Sequence, residues 1–176
     1  MEDYLLIRKI KDGDTAAFEQ LTRKYYGHIF AYCYRRLGNQ QDAEDAVQEI
    51  FLKLVKAVYK YQYTGKFQNY LYTIAGNCCS DILRTRMCER PETMQEDDPA
   101  ASAEEETMQC EINRILYEKL KNMNPKQSEA LILYYFQGLK AREVAAVMGA
   151  PLSTTKSRIR QGLQQLRQFY DEEEVR

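Results

Sequence analysis

The 176-residue chain contains no tryptophan, one histidine and four prolines. No stretch approaches the roughly 20 consecutive apolar residues that a membrane helix needs. The polar start Met1-Glu2-Asp3 lacks the basic end and apolar core of a signal peptide, so no membrane insertion is expected and the expected location is cytoplasmic. Five cysteines, at 33, 78, 79, 88 and 110, form an odd set without CxxC spacing. That argues against a disulfide framework or a zinc site and leaves them as small core residues. His28 lies among Tyr26, Ile29 and Phe30 on an expected core helix, and no motif places a nucleophile near it. It reads as structural, and the chain as not an enzyme, with no metal or cofactor.

Proline is missing from residues 1–84 altogether, and strand-like alternation is nearly so. The segment from Arg90-Pro91-Glu92 to Glu104-Glu105-Glu106 holds two of the four prolines and is polar and acidic. It cannot bury enough apolar surface to offset its ordering entropy, and so reads as a flexible linker. The net charge of −1 conceals three blocks: twelve cations against ten anions in 1–84, two against eight in 85–110, and eleven against eight in 111–176. The expected fold is all-α: an N-terminal helical bundle over 1–86, an acidic linker over 87–110 and a C-terminal helix-turn-helix domain over 111–176.

In the bundle, Asp14 is placed to cap a helix running to about Leu37, with Gly38 at the left-handed position that ends it. A second helix over about Asp42–Tyr59 turns Val47, Ile50, Phe51, Leu54 and Val58 inward. A third, from near Phe67 to about Arg84, turns Tyr70, Leu71, Ile74, Cys78 and Ile82 inward. A short helix at Tyr4–Lys11 completes the bundle.

Two surfaces are left over. Asp42, Glu44, Asp45, Gln48 and Glu49 crowd the start of the second helix, where acid favours the helix dipole. Asp45, Gln48, Glu49 and Leu52 share an outward face, and an apolar side chain among carboxylates suits a partner helix bearing arginines. The second surface is aromatic: Tyr59, Tyr61, Tyr63, Phe67, Tyr70 and Tyr72 surround a turn at Thr64-Gly65-Lys66, beside Lys56 and Lys60. Rings interleaved with cations stack unpaired bases while the cations follow the phosphates. Phe67 and Tyr70 are expected to fill the core more than Tyr61 and Tyr63. Thr73, Asn77, Ser80 and Arg84 offer polar groups along the outward face of the third helix.

From Gly138 to Tyr170 the pattern is helix-turn-helix: a short helix Ala141–Met148, a break at Gly149-Ala150-Pro151, and a long helix from Ser153. Leu152, Ile159, Leu163, Leu166 and Tyr170 form its packing stripe. Lys140, Arg142, Lys156, Arg158, Arg160 and Arg167 stand against Glu143 alone, a balance that binds phosphates through counterion release. Base discrimination falls to Thr154, Thr155, Lys156, Ser157, Arg158 and Arg160, with Arg142 beside them. The alternative is an amphipathic helix pair whose basic face is merely solvated.

Three motifs in this order resemble bacterial sigma factors of the extracytoplasmic-function class: Asp42-Ala43-Glu44-Asp45-Ala46-Val47-Gln48-Glu49-Ile50-Phe51-Leu52, then Gly65-Lys66-Phe67 with Tyr70-Leu71-Tyr72-Thr73-Ile74-Ala75-Gly76-Asn77, then the helix-turn-helix. The resemblance covers nearly the whole chain. It implies that Asp42, Glu44, Asp45, Gln48, Glu49 and Leu52 dock on the coiled coil of the polymerase β′ subunit. It implies that Lys60, Tyr61, Tyr63, Lys66, Tyr70, Thr73, Asn77 and Arg84 melt and read the −10 element, Asn77 and the 60–66 loop above all. Residues 111–170 then read the −35 element and meet the β flap. An anti-sigma protein is the further partner implied.

The chain departs from the family pattern at Tyr70, where tryptophan is common, and at Thr155, which replaces a usual valine. The retained ring implies that melting is tuned and not lost; Thr155 alters packing or adds a hydroxyl contact. The acidic linker, through Glu104, Glu105 and Glu106, is expected to compete with DNA for the basic domain of the free protein. A stand-alone helix-turn-helix regulator would share the C-terminal motif, yet would need neither the acidic helix nor the aromatic turn.

Overall fold

A computed structural model describes the backbone of residues 2–63, 65–89 and 108–174, and the side chains of 2–63, 65–86 and 115–168. Among the described residues the chain is helical, with no strand: α1 (Glu2–Lys11), α2 (Thr15–Leu37), α3 (Gln40–Ala57), α4 (Phe67–Glu89), α5 (Met108–Lys121), α6 (Pro125–Leu131), α7 (Ala141–Val147) and α8 (Leu152–Glu174). A π-helical stretch, Ile132–Phe136, continues α6. The linker residues 90–107, Glu104–Glu106 among them, lie outside the described set, as do the side chains of Cys88, Cys110 and Tyr170.

The predicted punctuation is realised. The Asp14 carboxylate accepts from the Ala17 N–H at 3.1 Å, which caps α2. At the other end Gly38 adopts φ +73° and its N–H donates to the Tyr34 carbonyl at 2.8 Å. A Cβ on Gly38 would also lie 1.8 Å from Cζ of Tyr117, so the position requires glycine twice over. α3 starts two residues before the expected Asp42, because Asn39 caps it through the Asp42 N–H at 3.1 Å. Its inward stripe Val47, Ile50, Phe51 and Leu54 is fully packed, with Val58 at its end.

The third predicted stripe needs correction. Tyr70, Ile74 and Ile82 are only half-buried, whereas Tyr72, Ala75 and Cys79 are completely enclosed together with Leu71. α4 buries two faces: one on α2 and α3, the other under the C-terminal domain. His28 is also misjudged, since it faces solvent on α2 while Ile29 beside it is enclosed.

The two domains are seamed by polar contacts, the innermost between buried groups. Arg36 of α2 pairs with Glu129 of α6 at 3.3 Å, both side chains less than a tenth exposed, and the Tyr32 hydroxyl donates to the same carboxylate at 3.3 Å. Gly76 lets α4 approach, since a Cβ there would sit 2.9 Å from Glu129 Oε1. The Tyr72 hydroxyl donates to Gln137 Oε1 at 2.7 Å, the Tyr117 hydroxyl to the Leu37 carbonyl at 3.0 Å, and Lys66 pairs with Glu143 at 2.7 Å. Arg35 lies 4.9 Å from the ring centre of Phe136. Removing one partner from a buried ion pair costs about 3–5 kcal/mol, so losing either Arg36 or Glu129 is expected to loosen the seam.

Candidate nucleic-acid and partner interfaces

On α8, Ser153, Lys156 and Arg160 are exposed and recur at helical spacing, with Ser157 half-buried between them. Arg142 on α7 is exposed, while Thr154 and Arg158 are half-buried. Ser153 shares the open face and is missing from the predicted set. Thr155 departs from prediction: it is completely enclosed and its hydroxyl donates to the Pro151 carbonyl at 3.1 Å. From that position it packs the turn, out of contact with solvent. The turn itself rests on Gly149 at φ +57°. At the start of α7 the Glu143 carboxylate accepts from the Lys140 N–H at 2.8 Å. A hydrogen bond from Lys66, helped by that backbone N–H, holds Glu143 below the usual carboxylate range.

Around the 60–66 turn the rings form a connected cluster. Tyr61 packs 4.5 Å from Tyr70, 5.6 Å from Phe67 and 6.2 Å from Tyr63, centre to centre, and is only 8% exposed. Tyr61 is therefore a support for the cluster and not a free stacking platform, which corrects the sequence reading. Tyr63, 42% exposed and edge-on to Tyr4, and half-buried Tyr70 present the accessible rings. Burial pushes the Tyr70 phenol above its ordinary range, so it remains a neutral donor.

Lys60 and Lys66 are exposed at this turn, Lys66 being held by Glu143. Along α4, Asn77 points to solvent, Arg84 is exposed and paired with Asp81 at 2.6 Å, and the Thr73 hydroxyl donates to its own helix at Asn69. Ser80 accepts from Arg36 at 3.2 Å.

The acidic helix keeps the expected face. Asp45, Gln48 and Glu49 are exposed, and Leu52 stands 58% exposed among them. Val55 and Tyr59, also exposed, continue the apolar stripe by further helical steps, an extension the sequence reading missed. Glu44 is half-buried and accepts from Gln40. Asp42 is likewise half-buried and pairs with Arg86, so it braces α3 against α4 and contributes least to an open face. Among the described residues α3 packs chiefly on α2 and α4, and Asp45, Gln48, Glu49 and Leu52 stay exposed with the domains seamed.

Residues 21–87 match the Sigma-70 region 2 family and residues 113–166 the Sigma-70, region 4 family. The chain is 33% identical to the ECF RNA polymerase sigma factor SigE of Mycolicibacterium smegmatis over 165 residues, which is 89% of this chain and 64% of that protein's length. It is 27% identical to the ECF RNA polymerase sigma factor SigW of Bacillus subtilis over 92% of each chain. The fold is similar to that of CnrH, solved in complex with the cytosolic domain of CnrY, with a TM-score of 0.77 at 22% identity over 97% of this chain and 98% of that one. With both regions matched in order across the acidic linker, the chain belongs to the sigma-70 family, in its extracytoplasmic-function class.

Proposed function

We propose that the chain binds core RNA polymerase, directs it to particular promoters and assists strand opening from the cytoplasm. Residues 1–86 dock and open, residues 111–176 hold the −35 duplex and 87–110 tether them. Asp45, Gln48, Glu49 and Leu52 meet the β′ coiled coil, with Glu44 and Asp42 bracing the face. Tyr63, Tyr70, Lys60, Lys66, Asn77 and Arg84 hold the unpaired −10 strand, with Tyr61 and Thr73 supporting them. Arg142, Lys156, Ser157 and Arg160 address the −35 groove, flanked by Thr154 and Arg158.

The observation that carries this reading is the open carboxylate face with Leu52 at its centre. A lone helix-turn-helix regulator has no use for such a face, and an exposed apolar side chain ringed by acid fits a basic partner helix. In initiation the chain itself makes and breaks no bond; polymerase supplies catalysis. Unstacking a base costs a few kcal/mol and stacking on a ring returns about 1–3 kcal/mol per base, so opening is near balance and sensitive to sequence.

The seamed arrangement is not the promoter-bound one. Sites named −10 and −35 lie roughly 25 base pairs apart, about 85 Å along a duplex at 3.4 Å per pair. A packed chain of this length has a radius of gyration of only about 16 Å. The domains must part to reach both. A regulatory protein holding them together is the second partner we propose. A groove of about 360 Å³ between α2 and α5, lined by Phe30, Tyr34, Leu116 and Leu120, suits an amphipathic helix of such a protein.

Co-elution with core polymerase tests the reading. The full chain is expected to bind, and Leu52→Asp to weaken binding at least about tenfold with unchanged thermal stability, since the side chain is exposed. Equal binding by both proteins would contradict it.

A further inference from the structure

Cys33 of α2 and Cys79 of α4 place their sulfurs 3.7 Å apart, sharing a hydrogen bond, and neither is exposed to solvent. Promoter recognition gives this pair nothing to do. A disulfide needs about 2.05 Å between sulfurs, so the two are in contact but unbonded. Arg36, one helical turn after Cys33, is buried with its Nε lacking any hydrogen-bond partner, and its charge acts on Cys79. The shared hydrogen bond, with the Arg36 charge, holds Cys79 below the ordinary thiol range, while the same bond together with burial pushes Cys33 up.

The other domain packs beside the pair. Tyr72, Gly76 and Cys79 follow one another at helical spacing on one face of α4. Tyr72 bonds Gln137, and Gly76 abuts the Glu129 carboxylate, which also acts electrostatically on Cys79. The C-terminal domain therefore borders the thiol face along this line of α4.

We infer that Cys33 and Cys79 are a thiol pair oxidisable by hydroperoxides, shielded while Glu129 seats the C-terminal domain and open to attack when the domains part. The Cys79 thiolate attacks one peroxide oxygen and the O–O bond breaks. Cys79 becomes a sulfenic acid, and the departing oxygen takes up the proton released from the thiol, leaving as water or an alcohol. The Cys33 sulfur then attacks Cys79 sulfur, the S–O bond breaks and hydroxide leaves with the Cys33 proton as water. Two thiols lose two electrons in total, and the peroxide accepts both. This chemistry is independent of polymerase and of DNA.

The test uses the full chain, reduced and then treated with hydrogen peroxide, quenched by alkylation and read by peptide mass mapping. A peptide pair linked through Cys33 and Cys79 is expected. It should form roughly tenfold faster or more in Glu129→Gln, because breaking one side of a buried ion pair shifts the opening equilibrium by at least that factor. Cys33→Ser should leave a sulfenic acid on Cys79 that dimedone traps. Gln137→Ala loosens the same seam through Tyr72 without touching the ion pair; it should also speed linkage, and it decides the matter if Glu129→Gln melts. Absence of the linkage in every variant, or equal rates in wild type and the loosened seams, would overturn the inference.

Discussion

At the scale of single residues, the division between exposed and enclosed side chains on α8 sets what each can do. Lys156 and Arg160 face outward, so replacing either by alanine is expected to weaken promoter binding across sequences. Each loss should also reduce the slope of log affinity against log salt by about one. Thr155→Val, by contrast, should leave DNA affinity and its salt dependence unchanged, because the enclosed hydroxyl serves only the Pro151 carbonyl. Titrations of promoter DNA at several salt concentrations, with core polymerase present, separate the two cases. A fall in affinity for Thr155→Val would show that the residue reaches the groove. The same division was only half legible in the sequence. Spacing placed Lys156 and Arg160 on a face, but could not tell that Thr155 turns under the preceding helix. Nor could it tell that Tyr61 props up Tyr70 and Phe67 and does not stand free, since rings at a turn look alike until their neighbours are known.

At the scale of elements, local chemistry was readable and long-range packing was not. Asp14 and Gly38 announce the ends of α2 because capping involves only residues a few positions away. The second buried face of α4 is hidden because apolar residues meeting the other domain merge with those meeting α2 and α3, and the two stripes blur into one. The π-helical stretch Ile132–Phe136 carries no sequence signal at all. Gly38→Ala tests an element boundary directly. The left-handed φ costs a residue with a Cβ about 1–2 kcal/mol, and the Tyr117 ring occupies the space such a Cβ needs, so the loss should exceed that range. Thermal unfolding monitored by circular dichroism measures it; a change below about 0.5 kcal/mol would mean α5 shifts away freely.

At the scale of the whole molecule, the seam between domains governs which surfaces are available. Lys66 is tied to Glu143 across it, and Tyr72 to Gln137, so Lys66 of the proposed −10 surface is engaged while Asp45, Gln48, Glu49 and Leu52 of α3 stay exposed. Polymerase can therefore dock first and the domains part afterwards. The Lys66–Glu143 tie has a defined pH sign. Glu143 titrates below its ordinary value of 4.5, so its contribution to closure is complete above that value and is lost as pH falls through the lower folded value. Energy transfer between dyes on the two domains should report opening in that acid range, and Glu143→Gln should already be more open at neutral pH. Identical transfer efficiency in the two proteins at pH 7 would mean the contact does not hold the domains.

Run-off transcription with purified core polymerase on a library of promoter templates puts the promoter-directing role to its most direct test. Discrete transcripts from a subset of templates are expected, dependent on this chain and lost with Leu52→Asp. A transcript pattern identical to that of core polymerase alone would contradict it.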